Sequence, residues 1–357
     1  MRAPRLIADD LTGALDAAAA FVPGAGPVPV LFAPPASLPA AVAISAGTRD
    51  ADPLTARRVM ALLAPVLEDA DPALLKLDSL LRGPVAPMLG ALRGEFAHAV
   101  IAPAFPAQGR VTRGGRQFRA EGHVWHDVGV DLPAALAAEG LAPALCRPGD
   151  AAPPGVSLWD AETEAALDAV VRAGRTLAGP VLWCGSAGLA AALAGRAAVP
   201  RPDLPLPILA LIGSDHPVSV GQLSSAWKYV HRLLRGDAEE IAPIARRLAG
   251  GNAAAAVVVP PGLSRAAAGA RIAALFARLL GGIDRPGTLM VAGGDTLRGV
   301  VEALGARSLT VIGERAPGVP VSRLVGGAWD GQIVLSRSGA FGDSGWLLRL
   351  LAATGGG

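Results

Sequence analysis

The chain has 357 residues, 52% of them hydrophobic and 4% aromatic, with a formal net charge of +2. That length suits about two domains with large cores, and the weak charge and scarce aromatics argue against a nucleic-acid surface. Two cysteines, Cys146 and Cys184, are too few for a disulfide framework and match no metal motif, which fits a reducing, cytoplasmic setting.

In chain order, short apolar runs alternate with helical stretches, the pattern of an α/β protein with two domains, each a largely parallel sheet flanked by helices. Arg5–Ala8 reads as a strand, followed by the polar turn DDLTG and a helix over about Gly13 to Phe21, with Thr12 as its N-cap. The N-terminus meets acidic residues at once and does not resemble a secretion signal. Mean hydropathy is +0.43, yet the apolar stretch from Leu11 to Pro34 contains Asp16, Pro23, Pro27 and Pro29, so no membrane span is expected. Leu74–Leu77 reads as a strand, then a loop, then a helix near Pro84–Phe96. His98–Ala102 is a third strand and leads into a Pro/Gly/Arg-rich segment, PAFPAQGRVTRGGRQF, expected to be a long irregular loop.

The proline-rich stretch 197–208 is the expected boundary between a domain over 1–197 and one over 206–357. Beyond it, Ile208–Ile212, Ala254–Val259, Leu289–Ala292 and Ile333–Ser336 read as strands. The terminal Gly355-Gly356-Gly357 is expected to be disordered.

Three strands of the second half end in small residues that open a helix: GSDHPVS (213–219), GGDT (293–296) and SGAFGDS (338–344). Such turns present backbone N–H groups and a helix dipole to an anion, and in a parallel sheet they gather at the carboxyl edge. Together they point to a polyphosphate ligand such as ATP, although each alone reads as an ordinary turn. Neither a Walker A sequence nor a GxGxxG fingerprint is present, which argues against a dinucleotide-dependent dehydrogenase. A fourth turn, Cys184-Gly185-Ser186-Ala187-Gly188, reads equally as helix packing or as part of a site. It lacks the second flank of a GxSxG elbow, so hydrolase chemistry has weak support.

In the first half, Asp9 and Asp10 end a strand. Neighbours in extended chain point to opposite sides, so at most one should face a ligand. Either could receive a proton from an attacking hydroxyl, and either could simply cap the next helix. In Leu75-Lys76-Leu77-Asp78 the two charges share one strand face, where a buried parallel strand would be apolar. They pair with each other, or they hold a polar substrate with Arg82, a residue suited to bidentate carboxylate or phosphate binding. Gln108-Gly109-Arg110 adds a further cation. Lysine is confined to Lys76 and Lys228, and the five histidines show no metal spacing.

The segments IADDLTGALDAA (7–18), KLDSLLRGPV (76–85), APAFPAQGR (102–110), GSAGLA (185–190), GSDHPVSVGQL (213–223), GGDTLRGVVEALG (293–305), APGVP (316–320) and SGAFGD (338–343) together resemble the four-carbon acid sugar kinase family. They occur in family order over nearly the whole chain. The resemblance implies an N-terminal sugar-acid-binding domain and a C-terminal nucleotide-binding domain. It implies an ATP-dependent kinase, with Mg²⁺, acting on acids such as threonate, erythronate or 3-oxo-tetronate. Asp10 and Asp78 are then the candidate catalytic residues, and Asp9, Lys76, Arg82, Gly109 and Arg110 the acid-binding set. Ser214, Gly293, Gly294, Asp295, Thr296, Ser338, Gly339 and Gly342 are the expected nucleotide contacts, with metal ligands unassigned. The expected partners are a small sugar acid and ATP, with neither nucleic acid nor membrane; a homodimer is left open. The chain departs from the family pattern at Leu80, Asp215, His216, Asp295 and Arg337. Asp215 beside a phosphate site favours, as the alternative, a relative that binds acid or nucleotide without this turnover.

Overall fold

The structure, a computed structural model, describes residues 3–353; the terminal triglycine lies outside them. The chain divides into two compact units, Met1–Val199 and Pro200–Gly357.

The first unit is built on strands β1 (Arg5–Ala8), β2 (Val28–Leu31), β3 (Val42–Ser45), β4 (Ala73–Lys76), β5 (His98–Ala102), β6 (Arg110–Arg113), β7 (Arg116–Glu121), β8 (Val124–Asp127), β9 (Ala144–Cys146), β10 (Val156–Trp159) and β11 (Val181–Gly185). Eight of them form a parallel layer in the order β2-β3-β1-β4-β11-β5-β10-β9. Strands such as Leu6-Ile7-Ala8 and Ala73-Leu74-Leu75 are apolar on both faces because helices cover both sides, and their side chains are sealed from solvent. One core side gathers Ile7, Ile44, Met60, Leu75, Met88 and Leu89.

Register decides where the polar residues emerge. Ala8 lies opposite Ser45 of β3 and Lys76 of β4, and Lys76 lies opposite Gly185 of β11. The segments that follow these four strands therefore leave the sheet at one carboxyl edge, where parallel α/β folds bind ligands.

The segment expected to be an irregular loop is ordered instead. After a 3-10 turn at Pro106–Gln108, β6, β7 and β8 form a three-stranded antiparallel sheet. The Gly114-Gly115 pair, with both φ positive at 56° and 75°, makes the tight turn between β6 and β7, a geometry that glycine adopts without strain. The guanidinium of Arg113 stacks over Trp125, 4.7 Å from the ring centre.

The first helix also differs from expectation. It runs Leu11–Ala19 and is capped by Asp10, whose Oδ1 accepts from Gly13 N at 2.7 Å; Thr12 lies inside it. The helix expected near Pro84–Phe96 is α-helical over Val85–Leu92 and ends in a 3-10 turn.

The second unit adds β12 (Ile208–Ile212), β13 (Val230–Leu233), β14 (Ala253–Val257), β15 (Thr288–Ala292), β16 (Ser308–Ala316), β17 (Val319–Val325) and β18 (Ile333–Arg337). The order β13-β14-β12-β15-β18 is parallel, and β17 and β16 extend it antiparallel. Ile212, Ala292 and Arg337 are in register, so the turns after β12, β15 and β18 also meet at one carboxyl edge.

Candidate functional site

At the carboxyl edge of the first unit, six charged side chains converge. Asp9, 0% exposed, accepts from Nε and Nη2 of Arg49 at 2.8 and 3.0 Å. Arg49 Nη1 also donates to Asp10 Oδ2, which accepts from the Thr12 hydroxyl at 2.7 Å. Arg49 Nη2 lies 3.8 Å from Asp78 Oδ1. Asp78, with 8% of its side chain exposed, is gripped by Arg82: Nε to Oδ2 at 2.6 Å, Nη2 to Oδ1 at 2.9 Å, and the backbone N–H to Oδ2 at 3.1 Å.

The alternation expected for the aspartates holds: Asp9 is sealed and Asp10 is partly open. Asp10 also takes the cap role weighed against a chemical one. The pairing weighed between Lys76 and Asp78 is replaced by Asp78–Arg82, while Lys76, nearly buried, donates to Leu77 O at 2.8 Å. Gly13 makes room for this ammonium. A Cβ there would stand 2.9 Å from Lys76 Nζ and 2.7 Å from Asp10 Oδ1.

These contacts set the protonation states. Burial alone would raise the Asp78 carboxyl, but the hydrogen bonds from Arg82 and the charges of Arg49, Arg82 and Lys76 outweigh it and hold Asp78 below the usual carboxylate range. Burial pushes the Asp9 carboxyl up, opposed by Arg49 and Lys76. Burial opposes the Arg49 charge, yet Asp10, Asp9 and Asp78 raise its pKa further and keep it cationic. Arg110, at the start of β6, is pushed down by burial and feels Asp78 and Arg82; its side chain bonds Gln108 Oε1. Gly109 supplies the left-handed turn before it, at φ 65°. Gln117 of β7 donates to Ser79 O at 2.8 Å and ties the small sheet to the loop that carries Asp78 and Arg82.

Arg49 is the residue that sequence reasoning missed. It stands alone in SAGTRD, and only the register of β1, β3 and β4 places it against Asp9, Asp10 and Asp78. The CGSAG turn is resolved as packing. Ser186 is fully buried, accepts from Gly188 N at 3.0 Å to cap its helix, and donates to Ala104 O.

The second unit brings its three glycine turns together. Ser214 follows β12, and a Cβ on Gly339 would fall 2.3 Å from Ser214 Oγ, so only glycine allows this approach. Gly293, at φ 99°, caps the helix Gly294–Ala303 and donates to Arg337 O at 2.9 Å. Thr296 is buried in that first turn, whereas Asp295 is 73% exposed and lies 3.5 Å from Arg265.

The loop 338–343 is held by side chains that grip its carbonyls. Ser219 donates to Gly339 O at 2.7 Å, and Gln222 donates to Phe341 O and Asp343 O at 2.9 and 2.8 Å. Arg337, 1% exposed, donates to Ser338 O at 2.8 Å and to Gln222 Oε1 at 2.5 Å, with its guanidinium over Trp346. Ser338 Oγ accepts from Ala340 N, and Gly342 turns the chain at φ 82° against Trp346. Burial pushes the Arg337 pKa down to about 10, still cationic at neutral pH. Ser219, Gln222 and Trp346 were not singled out in the sequence. The His216 imidazole caps its own helix, accepting from Val218 N at 3.2 Å, and Asp215 is exposed.

Among the described residues no group of three His, Cys, Asp or Glu side chains could hold a metal ion, and no helix is long and apolar enough to cross a membrane.

Comparison with known proteins agrees with this layout. A domain-family profile described as a sugar-binding N-terminal domain matches residues 5–135, and one described as a nucleotide-binding C-terminal domain matches 209–347. A D-threonate kinase of Cupriavidus necator is 34% identical over 89% of each chain. A D-threonate kinase of Bordetella bronchiseptica is 30% identical over 98% of this chain and 96% of its own. A solved structure from Salmonella typhimurium LT2 has the same fold, with a TM-score of 0.72 at 22% identity over 99% of each chain. On the two domain matches and the full-length kinase relatives, this chain belongs to the four-carbon acid sugar kinase family.

Proposed function

We propose that the protein is an ATP-dependent kinase that phosphorylates a hydroxyl of a four-carbon sugar acid of the threonate, erythronate or 3-oxo-tetronate type. The acid is assigned to the domain over 1–197 and the nucleotide to the domain over 206–357. The observation that carries the reading is the cluster at the end of β1, β3 and β4, where cations and carboxylates meet at the edge that binds ligands. A small polyhydroxy acid offers matching groups: a carboxylate for cations and hydroxyls for carboxylates.

In this reading Arg82 takes the substrate carboxylate, supported by Lys76 and Arg110. The Arg82 bonds to Asp78 use Nε and Nη2, and among the described residues no hydrogen bond uses Nη1. Asp10 and Asp78 orient the attacking hydroxyl. Both are tied down by other donors, which suits an acceptor more than a strong base. Phosphoryl transfer through a loose transition state asks mainly for orientation and charge stabilisation.

The nucleotide phosphates would meet the turns at Ser214, Gly293-Gly294 and Ser338-Gly339, where backbone N–H groups and the dipole of the helix Gly294–Ala303 favour negative charge. Mg²⁺ is held by one or two carboxylates together with substrate phosphates in such sites. The exposed Asp215 and Asp295, at the ends of adjacent strands β12 and β15, fit that donor set. When bound, the ion would neutralise phosphate charge. The proposed setting is the cytoplasm, where ATP is supplied.

The test is ADP release by the unmodified protein with ATP, Mg²⁺ and a panel of four-carbon acids. ADP formation with at least one acid is expected. No ADP with any acid and no ATP binding by calorimetry would overturn the kinase reading. ATP binding without turnover would favour the non-catalytic alternative.

A further inference from the structure

Arg49 lies outside every motif considered above, yet it touches more of the acid site than any residue in them. Its segment is pinned to the end of β1, since the N–H groups of Thr48 and Arg49 both donate to Asp9 O, at 2.9 and 3.2 Å. Its guanidinium then reaches Asp9 by two hydrogen bonds, Asp10 by one, and Asp78 at 3.8 Å. One planar cation therefore fixes carboxylates from the ends of two strands, β1 and β4. The charged groups facing this centre are Asp9 and Asp10 after β1, Arg49 after β3, Lys76, Asp78 and Arg82 at and after β4, and Arg110 on β6, itself near Asp16.

We propose that Arg49 is the positioning residue of the acid site: it sets the spacing of Asp10 and Asp78, and through Asp78 it aims Arg82 at the substrate carboxylate. The proposal rests on the acid-site reading above. A fold staple would need only to neutralise the sealed Asp9. Arg49 does more: Asp10, one of its partners, is partly open, Asp78, another, is the residue that grips Arg82, and its own side chain is 14% exposed. The geometry requires the guanidinium fork. A lysine ammonium is a compact point charge that cannot span three carboxylates at once.

Arg49→Lys therefore separates the two roles, because it keeps the charge and loses the fork. With Arg49→Lys the KM for the acid should rise about tenfold or more, the scale on which a misplaced binding group is felt. The KM for ATP should stay within about twofold. The acid limb of the kcat/KM profile should move to higher pH, because Asp9 loses hydrogen bonds that favour its ionised form. A folded Arg49→Lys protein with unchanged acid KM and unchanged pH profile would overturn the proposal and leave Arg49 a staple. If Arg49→Lys fails to fold, the neutral pair Arg49→Met with Asp9→Asn replaces it. That double variant should fold and show the same acid defect; normal acid affinity in it would also overturn the proposal. Failure of the unmodified protein to bind any four-carbon acid overturns the acid-site reading itself, and this proposal with it.

Discussion

Arg337 and Gln222 form a buried pair: Nη2 of the arginine donates to Oε1 of the glutamine at 2.5 Å, and the glutamine amide then donates to the carbonyls of Phe341 and Asp343. The pair is a strut under the loop 338–343. With its carbonyls held from below, the loop can present N–H groups on its other side. Arg337 has no carboxylate partner among the described residues, and its Nε is unsatisfied. A buried cation without a counter-charge is costly, and bound phosphates would relieve that cost.

Gln222→Ala removes the amide that serves three partners. Leaving buried carbonyls and a guanidinium N–H unpaired costs about 1–3 kcal/mol per group. ATP affinity is expected to fall about tenfold, with lower stability to denaturant; calorimetry and urea unfolding read both. Affinity within about twofold of the unmodified protein would mean that the loop keeps its shape without the strut.

Gly339→Ala tests the contact between two phosphate turns. The new Cβ would lie 2.3 Å from Ser214 Oγ and 2.9 Å from Ser214 Cβ, inside any real separation. The KM for ATP is expected to rise, while the KM for the acid stays unchanged. Adding Ser214→Gly removes the clash and should restore stability to denaturant, while the KM for ATP stays raised because the Ser214 hydroxyl is lost. Full recovery of ATP affinity in the double variant would take Ser214 out of the phosphate site.

Arg82→Ala is expected to weaken acid binding by about tenfold or more, the scale of a lost charge-assisted bidentate contact. ATP affinity should not change. A loss of ATP affinity with intact acid binding would reverse the assignment of the two units.

The acid stability of the first unit should depend on Asp78. Its folded-state pKa lies below its unfolded value, so the group stabilises the folded chain above that unfolded value, about 3.8. The contribution is lost as pH falls below about 4 towards the lowered folded value. Asp78→Asn should be less stable than the unmodified protein at neutral pH, and the gap should narrow as pH drops from about 4. Urea midpoints across that range check it; a gap constant with pH would show that the carboxylate charge contributes nothing.

Much of the scaffold was legible. Arg5–Ala8, His98–Ala102 and Ile208–Ile212 read correctly because each is an apolar run bounded by a turn signal, and the helix after β15 starts at Gly293 as read. The helix after β12 is instead capped by His216, and the one after β18 begins only at Trp346, beyond the segment 338–344. The hairpin after Arg110 was hidden by its polar strands, although Gly114-Gly115 is a hairpin turn signal in plain view. Arg49 and Gln222 were illegible for a different reason. Arg49 sits in no motif and Gln222 lies in GSDHPVSVGQL past its turn residues, and the importance of both comes from register and packing that bring segments tens of residues apart into hydrogen-bond range.

The function proposed for this chain is transfer of a phosphoryl group from ATP to a four-carbon sugar acid. The most direct measurement follows ADP and the acid together, by phosphorus NMR and mass spectrometry, in one reaction of the unmodified protein with ATP, Mg²⁺ and threonate, erythronate or 3-oxo-tetronate. ADP and a singly phosphorylated acid are expected in equal amounts, formed only when both substrates are present. ADP that forms at the same rate without acid, or no phosphorylated acid with any of the three, would contradict it.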